Sequence, residues 1–324
     1  MKGKLNFDIL ENKRNELDIT QKSIADELGI SIDEYKQIEK NGKIPDKQIL
    51  IKLCHILKLG INEVFDANYK NTKVISVMSN KGGVGKTSLT SSIAYALTEL
   101  GNKVLCIDSD MQGNLTHSFN LETDPNKNLA IALKNEDDLE KYIIESEYEN
   151  LDFVVYNSAL SAIDMIMFTK NAREYILKRI MENIVKKGVY DYILIDTNPS
   201  LSILNFNVIN ACNYCIIPVQ LGAFGLEGIG ILLDFIDNAK KFNEDFKEYK
   251  LVINNYDARK GITAQSEEWL KENYGDNLFD AVIKVDTNIE NAQVQSMPVL
   301  QYNSKSRIAK EIRILTKEIE KEFK

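Results

Sequence analysis

One glycine-rich segment constrains the fold of this chain more than any other part of its sequence. It reads Ser79-Asn80-Lys81-Gly82-Gly83-Val84-Gly85-Lys86-Thr87-Ser88, and it lies between an apolar run that predicts a strand and an apolar stripe that predicts a helix. Glycines in a strand–loop–helix unit let successive backbone N–H groups converge on a phosphate, and the helix N-terminus adds partial positive charge. The segment therefore predicts a phosphate-binding loop.

Two side chains of this loop have predicted roles. A lysine at the position of Lys86 bridges the β- and γ-phosphates of a nucleotide, and a hydroxyl at the position of Thr87 ligates Mg²⁺. The sequence thus predicts ATP and Mg²⁺ as cofactors. The loop departs from the pattern G-x-x-x-x-G-K-[ST] at its first position, where Asn80 replaces glycine. A glycine-rich turn without a ligand is the alternative interpretation.

A second lysine in the loop, Lys81, produces a resemblance to a known family. The pattern K-G-G-x-G-K-[ST] resembles the deviant Walker A group, which includes the ParA and MinD partition and positioning ATPases and the nitrogenase iron protein. In that group the extra lysine reaches the nucleotide of a partner subunit, so the resemblance implies an ATP-dependent homodimer. It also implies this nucleotide-binding set: Lys81, Gly82, Gly83, Val84, Gly85, Lys86, Thr87, Ser88 and Asn254.

Two acidic segments extend the resemblance. The stretch Val104–Asn114 resembles the ParA sequence hhhhDxDPQGN, and Tyr192–Ser200 resembles a Walker B strand, with Asn198 in place of a usual proline. Carboxylates that end strands beside a phosphate loop can hold Mg²⁺ or orient a water molecule. The resemblance implies Lys81, Lys86, Asp110 and Asp196 as catalytic residues. It implies Thr87, Asp108, Asp110 and Asp196 as metal ligands.

The pattern after residue 72 predicts an α/β domain over residues 73–324. Its strand candidates are continuous apolar runs, as in strands buried on both faces of a parallel sheet, and helical stretches separate them. This predicts a doubly wound, mostly parallel P-loop NTPase sheet. The strand candidates are Val74–Met78, Val104–Ile107, Phe153–Tyr156, Tyr192–Ile195, Cys215–Val219, Leu251–Ile253 and Ala281–Val285.

Residues 1–67 predict a separate, small, all-α domain without a convincing strand. Thr20 caps one helix, Gly29 turns the chain, and Ser31 begins the next helix with a capping box to Glu34. This order resembles phage-repressor-like (XRE) helix-turn-helix domains. The resemblance implies operator-DNA contacts from Gln21, Ile32, Asp33, Lys36 and Gln37. A module for dimerisation or for docking a partner is the alternative.

Charge limits the partners that the sequence predicts. The chain has 40 basic and 48 acidic side chains, a formal net charge of −8, which excludes a uniformly basic coat and makes any nucleic-acid contact local. Candidate nonspecific DNA contacts are Arg259, Lys260, Arg307 and Lys310. No apolar run approaches the roughly 20 residues that span a bilayer. The last helix, from Ile308 to Phe323, has core-type spacing, unlike the membrane-binding helix of MinD-type relatives.

These observations together predict a cytoplasmic, nucleoid-associated ATPase that partitions DNA, with a plasmid as the expected replicon. The resemblance implies a centromere-binding, ParB-type adaptor protein that stimulates ATP hydrolysis, and the N-terminal domain is expected to bind operator DNA for autoregulation. The alternative is a DNA-binding transcriptional regulator that uses its nucleotide pocket as a ligand sensor. A positioning protein on membranes is a third possibility.

Overall fold

The computed structural model describes residues 3–66, 71–222, 227–259 and 261–323. The chain divides into two compact units, and the first division along the sequence falls between Asn71 and Thr72. Each unit has a hydrophobic core of its own. Among the described residues, no helix is long and apolar enough to cross a membrane.

Over residues 3–66 the N-terminal unit contains five helices and one short pair of strands. In chain order these are β1 (Lys4–Leu5), α1 (Phe7–Glu16), α2 (Gln21–Leu28), α3 (Ile32–Asn41), α4 (Lys47–Leu57), α5 (Ile61–Val64) and β2 (Phe65–Asp66). The prediction of no strand is wrong here, because β1 and β2 pair antiparallel, Leu5 opposite Phe65. Strands of two residues are too short to show a period in the sequence.

Local signals position the helix-turn-helix as predicted. The Thr20 hydroxyl accepts a hydrogen bond from the Ser23 N–H, and the Ser31 hydroxyl accepts one from the Glu34 N–H, so both helices have a capped N-terminus. Gly29, with a φ of +74°, ends α2 in the left-handed conformation that glycine adopts without strain. The helical N-terminal region is confirmed.

A buried glutamate joins α1, α2 and α3. The Glu39 carboxylate is fully buried and accepts hydrogen bonds from Arg14 Nε at 2.5 Å, Gln21 Nε2 at 2.5 Å and the Tyr35 hydroxyl at 3.0 Å. Burial alone raises the pKa of Glu39, but the hydrogen bonds from Arg14, Gln21 and Tyr35 outweigh it and leave the pKa below its ordinary value. Glu39 is therefore ionised and fully partnered in the folded unit.

The second unit is built on one sheet of eight strands. They are β3 (Lys73–Val77), β4 (Val104–Asp108), β5 (Ile144–Glu145), β6 (Leu151–Val154), β7 (Tyr192–Asp196), β8 (Tyr214–Val219), β9 (Glu248–Tyr256) and β10 (Leu278–Lys284). Their order is β10-β9-β8-β3-β7-β4-β6-β5, and every pair is parallel except β5 with β6. The predicted mostly parallel sheet is confirmed. The edge strand β5 has only two residues, too few to produce a recognisable pattern in the sequence.

Helices cover both faces of this sheet. They are α6 (Lys86–Glu99), α7 (Asn114–His117), α8 (Leu129–Asn135), α9 (Ile163–Phe168), α10 (Ile176–Lys187), α11 (Ile203–Ala211), α12 (Glu227–Ala239), α13 (Ile262–Tyr274), α14 (Thr287–Val294), α15 (Val299–Tyr302) and α16 (Arg307–Glu322). One core contains α6, α15 and α16, and the other contains α8 to α12. This is the doubly wound arrangement that the sequence predicts.

Two helices of the core that contains α6, α15 and α16 differ in how well the sequence predicts them. In α16 the apolar stripe is fully buried, so its predicted packing on the domain is confirmed. The apolar stripe that the sequence predicts after the loop is Leu89, Ile93, Leu97 and Leu100. Its last member is wrong, because α6 ends at Glu99 and Leu100 is its cap, 43% exposed. An apolar residue at helical spacing is not buried once the helix has ended.

We predict that Glu39→Gln destabilises the N-terminal unit by about 2 kcal/mol, because the charge that pairs with Arg14 is lost. The lowered pKa of Glu39 sets the pH dependence: its contribution is present above the ordinary glutamate pKa and is lost as the pH falls through the folded-state value. Hydrogen–deuterium exchange of the full chain measures both effects as faster exchange of amides in α1 to α3.

Glu34→Gln is the matched control, because Glu34 lies on α3 with an exposed side chain. Equal exchange rates in the two variants would contradict a stabilising role for the buried carboxylate.

Candidate functional site

The ends of three parallel strands bring the predicted site together. In the register of the sheet, Asp196 at the end of β7 lies opposite Val77 of β3 on one side and opposite Asp108 of β4 on the other. The glycine-rich loop continues from β3 and leads into α6 at Lys86. All three motifs therefore meet at one edge of the sheet, where ligands of open α/β folds bind.

Glycine is required in this loop for two separate reasons. Gly83 and Gly85 have φ angles of +74° and +85°, which other residues rarely adopt. A Cβ at Gly85 would also lie 2.5 Å from Asn254 Nδ2, whereas one at Gly82 or Gly83 would meet no atom within 4 Å. The loop thus packs against the protein at Gly85 and leaves open space at Gly82 and Gly83, as a cradle for phosphate requires.

Asn254, near the end of β9, supports the phosphate loop. Its side chain is buried at the end of β9, and Nδ2 donates a hydrogen bond of 2.7 Å to the Val84 carbonyl. The predicted contact of Asn254 with the nucleotide stays a prediction. The hydrogen bond from Asn254 to the loop could not be predicted from the sequence, because a polar residue near the end of a strand does not indicate which group it will contact.

The two lysines of the loop are placed differently. Lys86 is buried, and its Nζ donates to the Lys81 carbonyl at 3.2 Å. Burial lowers the pKa of Lys86 below its ordinary value, although the nearby Asp196 and Asp110 oppose this effect. Lys81 is half-buried, and among the described residues nothing forms a hydrogen bond or ion pair with its ammonium group. Lys86 thus points into its own loop, and the Lys81 ammonium is available.

Asp196 is the buried centre of the predicted metal site. Its carboxylate accepts hydrogen bonds from the Thr87 hydroxyl at 2.7 Å and the Thr90 hydroxyl at 3.2 Å. Burial, followed by the charge of Asp108, raises the pKa of Asp196 to about 8, although the hydrogen bond from Thr87 opposes the shift. The structure therefore joins Thr87 and Asp196 as predicted for a shared site, and it adds Thr90.

The two aspartates that follow β4 have separate environments. Asp108 is buried, and its Oδ2 accepts from the Thr116 N–H at 2.8 Å and the Thr116 hydroxyl at 2.7 Å. Burial raises the pKa of Asp108 to about 6 against these hydrogen bonds. Asp110 Oδ1 accepts from the Gln112 N–H at 3.0 Å, and Asp110 lines the open cavity at the loop. The Asp108 carboxylate is thus hydrogen-bonded to Thr116, whereas Asp110 faces the cavity.

A cavity of about 660 Å³ lies over the loop. It extends from the loop and Asp110 to Asn254 and Asn255 of β9, to Asp286 just after β10, and to Glu290 and Gln293 of α14. Ser88 borders it, and its hydroxyl accepts a hydrogen bond of 2.9 Å from Gln293 Nε2. Within the described ranges no group of three or more His, Cys, Asp or Glu side chains is placed to hold a metal ion by itself.

The residues predicted to read operator DNA are divided by the structure. Ile32, Asp33, Lys36 and Gln37 are all exposed on α3. Gln21 differs, because its amide is engaged by the buried Glu39. The exposed side of α3 is therefore the part of the predicted DNA surface that the helix-turn-helix presents together.

Two of the nonspecific DNA candidates that the structure describes in the second unit are paired with carboxylates. Arg259 is bound to Asp257 through two hydrogen bonds, and Arg307 is paired with Asp286 and Glu311. Lys310 is exposed. Lys260 lies outside the described residues. The predicted roles of these residues in DNA binding stay predictions.

Comparison with known proteins identifies the family. The family model described as an AAA domain matches residues 72–248, and a helix-turn-helix model matches residues 10–64. The sporulation initiation inhibitor protein Soj of Bacillus subtilis is 31% identical over 249 residues, which cover 76% of this chain and 98% of Soj. The chromosome partitioning protein ParA of Caulobacter vibrioides is 30% identical over 235 residues, or 72% and 88% of the two chains.

The chain belongs to the ParA family. The ParA-family region is a partitioning-type P-loop ATPase domain, and a helix-turn-helix precedes it. Solved structures agree. A plasmid partition protein from Borrelia burgdorferi superimposes with a TM-score of 0.61 at 26% identity, over 78% of this chain and all of that one. Cobyrinic acid a,c-diamide synthase from Mycobacterium smegmatis, bound to ADP and magnesium, has a TM-score of 0.65 at 26% identity, over 78% and 95%.

We predict that Asn254→Ala weakens nucleotide binding about fivefold, because the buried Val84 carbonyl loses its hydrogen-bond partner and the loop loses its support. If Asn254 acts through the loop, the loss is the same for ATP and for inorganic tripolyphosphate, which has no base. Isothermal titration calorimetry measures both affinities.

Asn277→Ala is the control, because its Nδ2 donates to the Tyr249 carbonyl near the opposite end of β9. A loss confined to ATP would show that Asn254 contacts the base instead of supporting the loop.

Proposed function

We propose that this chain is an ATP-dependent DNA-partitioning protein that dimerises around bound nucleotide. Residues 73–324 form the ATPase domain in this proposal, and residues 1–67 bind operator DNA. The observation that carries the proposal is the pair of lysines in one loop. Lys86 is buried and directed at its own loop, whereas the Lys81 ammonium has no partner among the described residues.

The residues of the site fit ATP and Mg²⁺. Open space over Gly82 and Gly83 suits the close approach of phosphates to backbone N–H groups. Thr87 and Asp196 would hold Mg²⁺ together with phosphate oxygens, an arrangement that needs only one or two protein ligands. Mg²⁺ bound there neutralises phosphate charge. The burial of Asp196 and Asp108 favours the binding of a cation, because a cation offsets the free-energy cost of burying two neighbouring carboxylates.

Hydrolysis in this proposal depends on Asp110. Its carboxylate faces the cavity, its Oδ1 is oriented by the Gln112 N–H, and Asp108 lies behind it on the same strand end. In this proposal Asp110 orients a water molecule and Asp108 supports Asp110. A ParB-type adaptor that binds centromere DNA would accelerate this slow step and release the dimer.

DNA binding in this proposal comes from two sources. Dimerisation doubles any nonspecific contact that Arg259, Lys260, Arg307 or Lys310 makes, so a dimer holds the nucleoid more tightly than a monomer does. The exposed side of α3 supplies a second contact with the operator of the chain's own gene. A plasmid or another mobile element is the proposed cargo.

We predict that Lys81→Ala abolishes dimer formation in ATP, because it removes the ammonium group that would reach the partner's nucleotide. Multi-angle light scattering with ATP and with ADP measures this. The expected result is a dimer of the wild type in ATP alone, and a monomer of Lys81→Ala in both nucleotides.

Lys134→Ala, at an exposed lysine of α8, is the matched control and is expected to dimerise like the wild type. A wild-type dimer that is indifferent to nucleotide would refute the proposal.

We predict that Gln37→Ala weakens binding to DNA upstream of the gene about tenfold, because a side chain that reads a base edge contributes about 1–3 kcal/mol. DNase footprinting and a titration with labelled DNA measure this. Lys52→Ala, at an exposed lysine on α4 of the same unit, serves as the comparison. Absence of any protected sequence upstream of the gene would rule out operator binding.

A further inference from the structure

The loop differs from the usual phosphate-loop pattern at one position, and the function proposed above does not account for it. Asn80 stands where the pattern has its first glycine, directly before Lys81. An asparagine side chain needs space and hydrogen-bond partners that glycine does not. Its surroundings therefore show what the substitution does.

The Asn80 amide is bound to a helix from another part of the fold. Its Nδ2 donates a hydrogen bond of 3.0 Å to the carbonyl of Gly228, in the first turn of α12. A Cβ at Gly228 would lie 2.9 Å from Asn80 Oδ1, closer than real Cβ contacts come. The glycine at position 228 thus lets the Asn80 amide come this close to α12.

One side of the segment around Asn80 borders a cavity lined by described residues. A cavity of about 360 Å³ adjoins Ser79, Asn80 and Lys81, and its other walls include Pro218 of β8 and Leu232 of α12. Before this segment, the Met78 N–H bonds to the Ile216 carbonyl. Among the described residues, the Asn80–Gly228 hydrogen bond therefore ties this part of the loop to α12.

We propose that Asn80 is a positioning residue for Lys81: by bonding to Gly228 it fixes the backbone from which the Lys81 ammonium extends to a partner subunit. The Lys81 carbonyl is held from the other direction by Lys86 Nζ at 3.2 Å, and the Lys81 N–H bonds to the Ser79 hydroxyl at 3.3 Å. The backbone of Lys81 is then restrained while its ammonium stays available. This proposal rests on the dimerisation proposed above.

Two substitutions break the same hydrogen bond from opposite sides. Asn80→Ala removes the donor. Gly228→Ala leaves the donor in place but adds a methyl group that displaces Asn80 Oδ1, the end of a flexible side chain, so the fold accommodates it. Gly230→Ala is the matched control, because it makes the same change two residues along α12, where a Cβ meets no atom within 4 Å.

The experiment measures two quantities for the full chain: dimerisation in AMPPNP, by analytical ultracentrifugation, and the affinity of the monomer for a fluorescent ADP. Asn80→Ala and Gly228→Ala are each expected to weaken the dimer about fivefold, the effect of one hydrogen bond, and to change ADP affinity by less than about twofold. The double variant is expected to be no weaker than either single variant, because both remove one interaction. Gly230→Ala is expected to behave like the wild type.

Several results would overturn the role of Asn80. They are wild-type dimerisation of Asn80→Ala, an equal loss in ADP affinity, and an equal defect in Gly230→Ala. Lys81→Ala, measured alongside, separates the two proposals. If Lys81→Ala still dimerises, the proposed function fails. If Lys81→Ala is monomeric and both Asn80→Ala and Gly228→Ala dimerise normally, only the positioning role fails.

Discussion

The parallel, in-register pairing of β3, β7 and β4 is the constraint on which the rest of the site depends. It places Asp196 between the end of β3 and Asp108, so the phosphate loop, the Walker B carboxylate and the second acidic segment share one edge. The hydrogen bond from Thr87 to Asp196 then joins the start of α6 to the centre of the sheet. Neither Asp196 nor Thr87 would be positioned without this register.

The same arrangement buries charge that the fold by itself does not neutralise. The pKa values of Asp196 and Asp108 are both raised, chiefly by burial, and the pKa of Lys86 is lowered. Raised carboxyl pKa values mean that ionising these groups costs folding free energy near neutral pH. A site of this kind gains stability when a cation binds, which links the energetics of the fold to its proposed ligand.

Two departures from the usual motifs, one in the phosphate loop and one after the Walker B strand, share a physical theme. Asn80 replaces glycine and Asn198 replaces proline, and both use their side chains to attach a loop of the site to a helix. Asn198 Oδ1 and its carbonyl accept hydrogen bonds from Asn205 Nδ2 of α11 at 3.2 and 2.9 Å. At these two positions the usual motifs have glycine and proline, which act through the backbone. Here the side-chain amides of Asn80 and Asn198 restrain the loops by hydrogen bonds to specific partners.

Glycine spacing, helix caps and apolar runs are local signals, so the amino-acid sequence is enough to predict the presence and order of the elements that carry chemistry. It predicted the phosphate loop, the seven longer strands and the capped helices around Gly29. The side chains that meet across the fold were not predictable in this way: Asn254 with the Val84 carbonyl, Gln21 with the buried Glu39, and Asn80 with Gly228. The predictions from local patterns are wrong at Leu100, which lies beyond the end of α6, and at the two-residue strands, which are too short to show a pattern. Contacts between residues distant in the chain depend on strand order and helix packing, and a period along one segment does not contain that information.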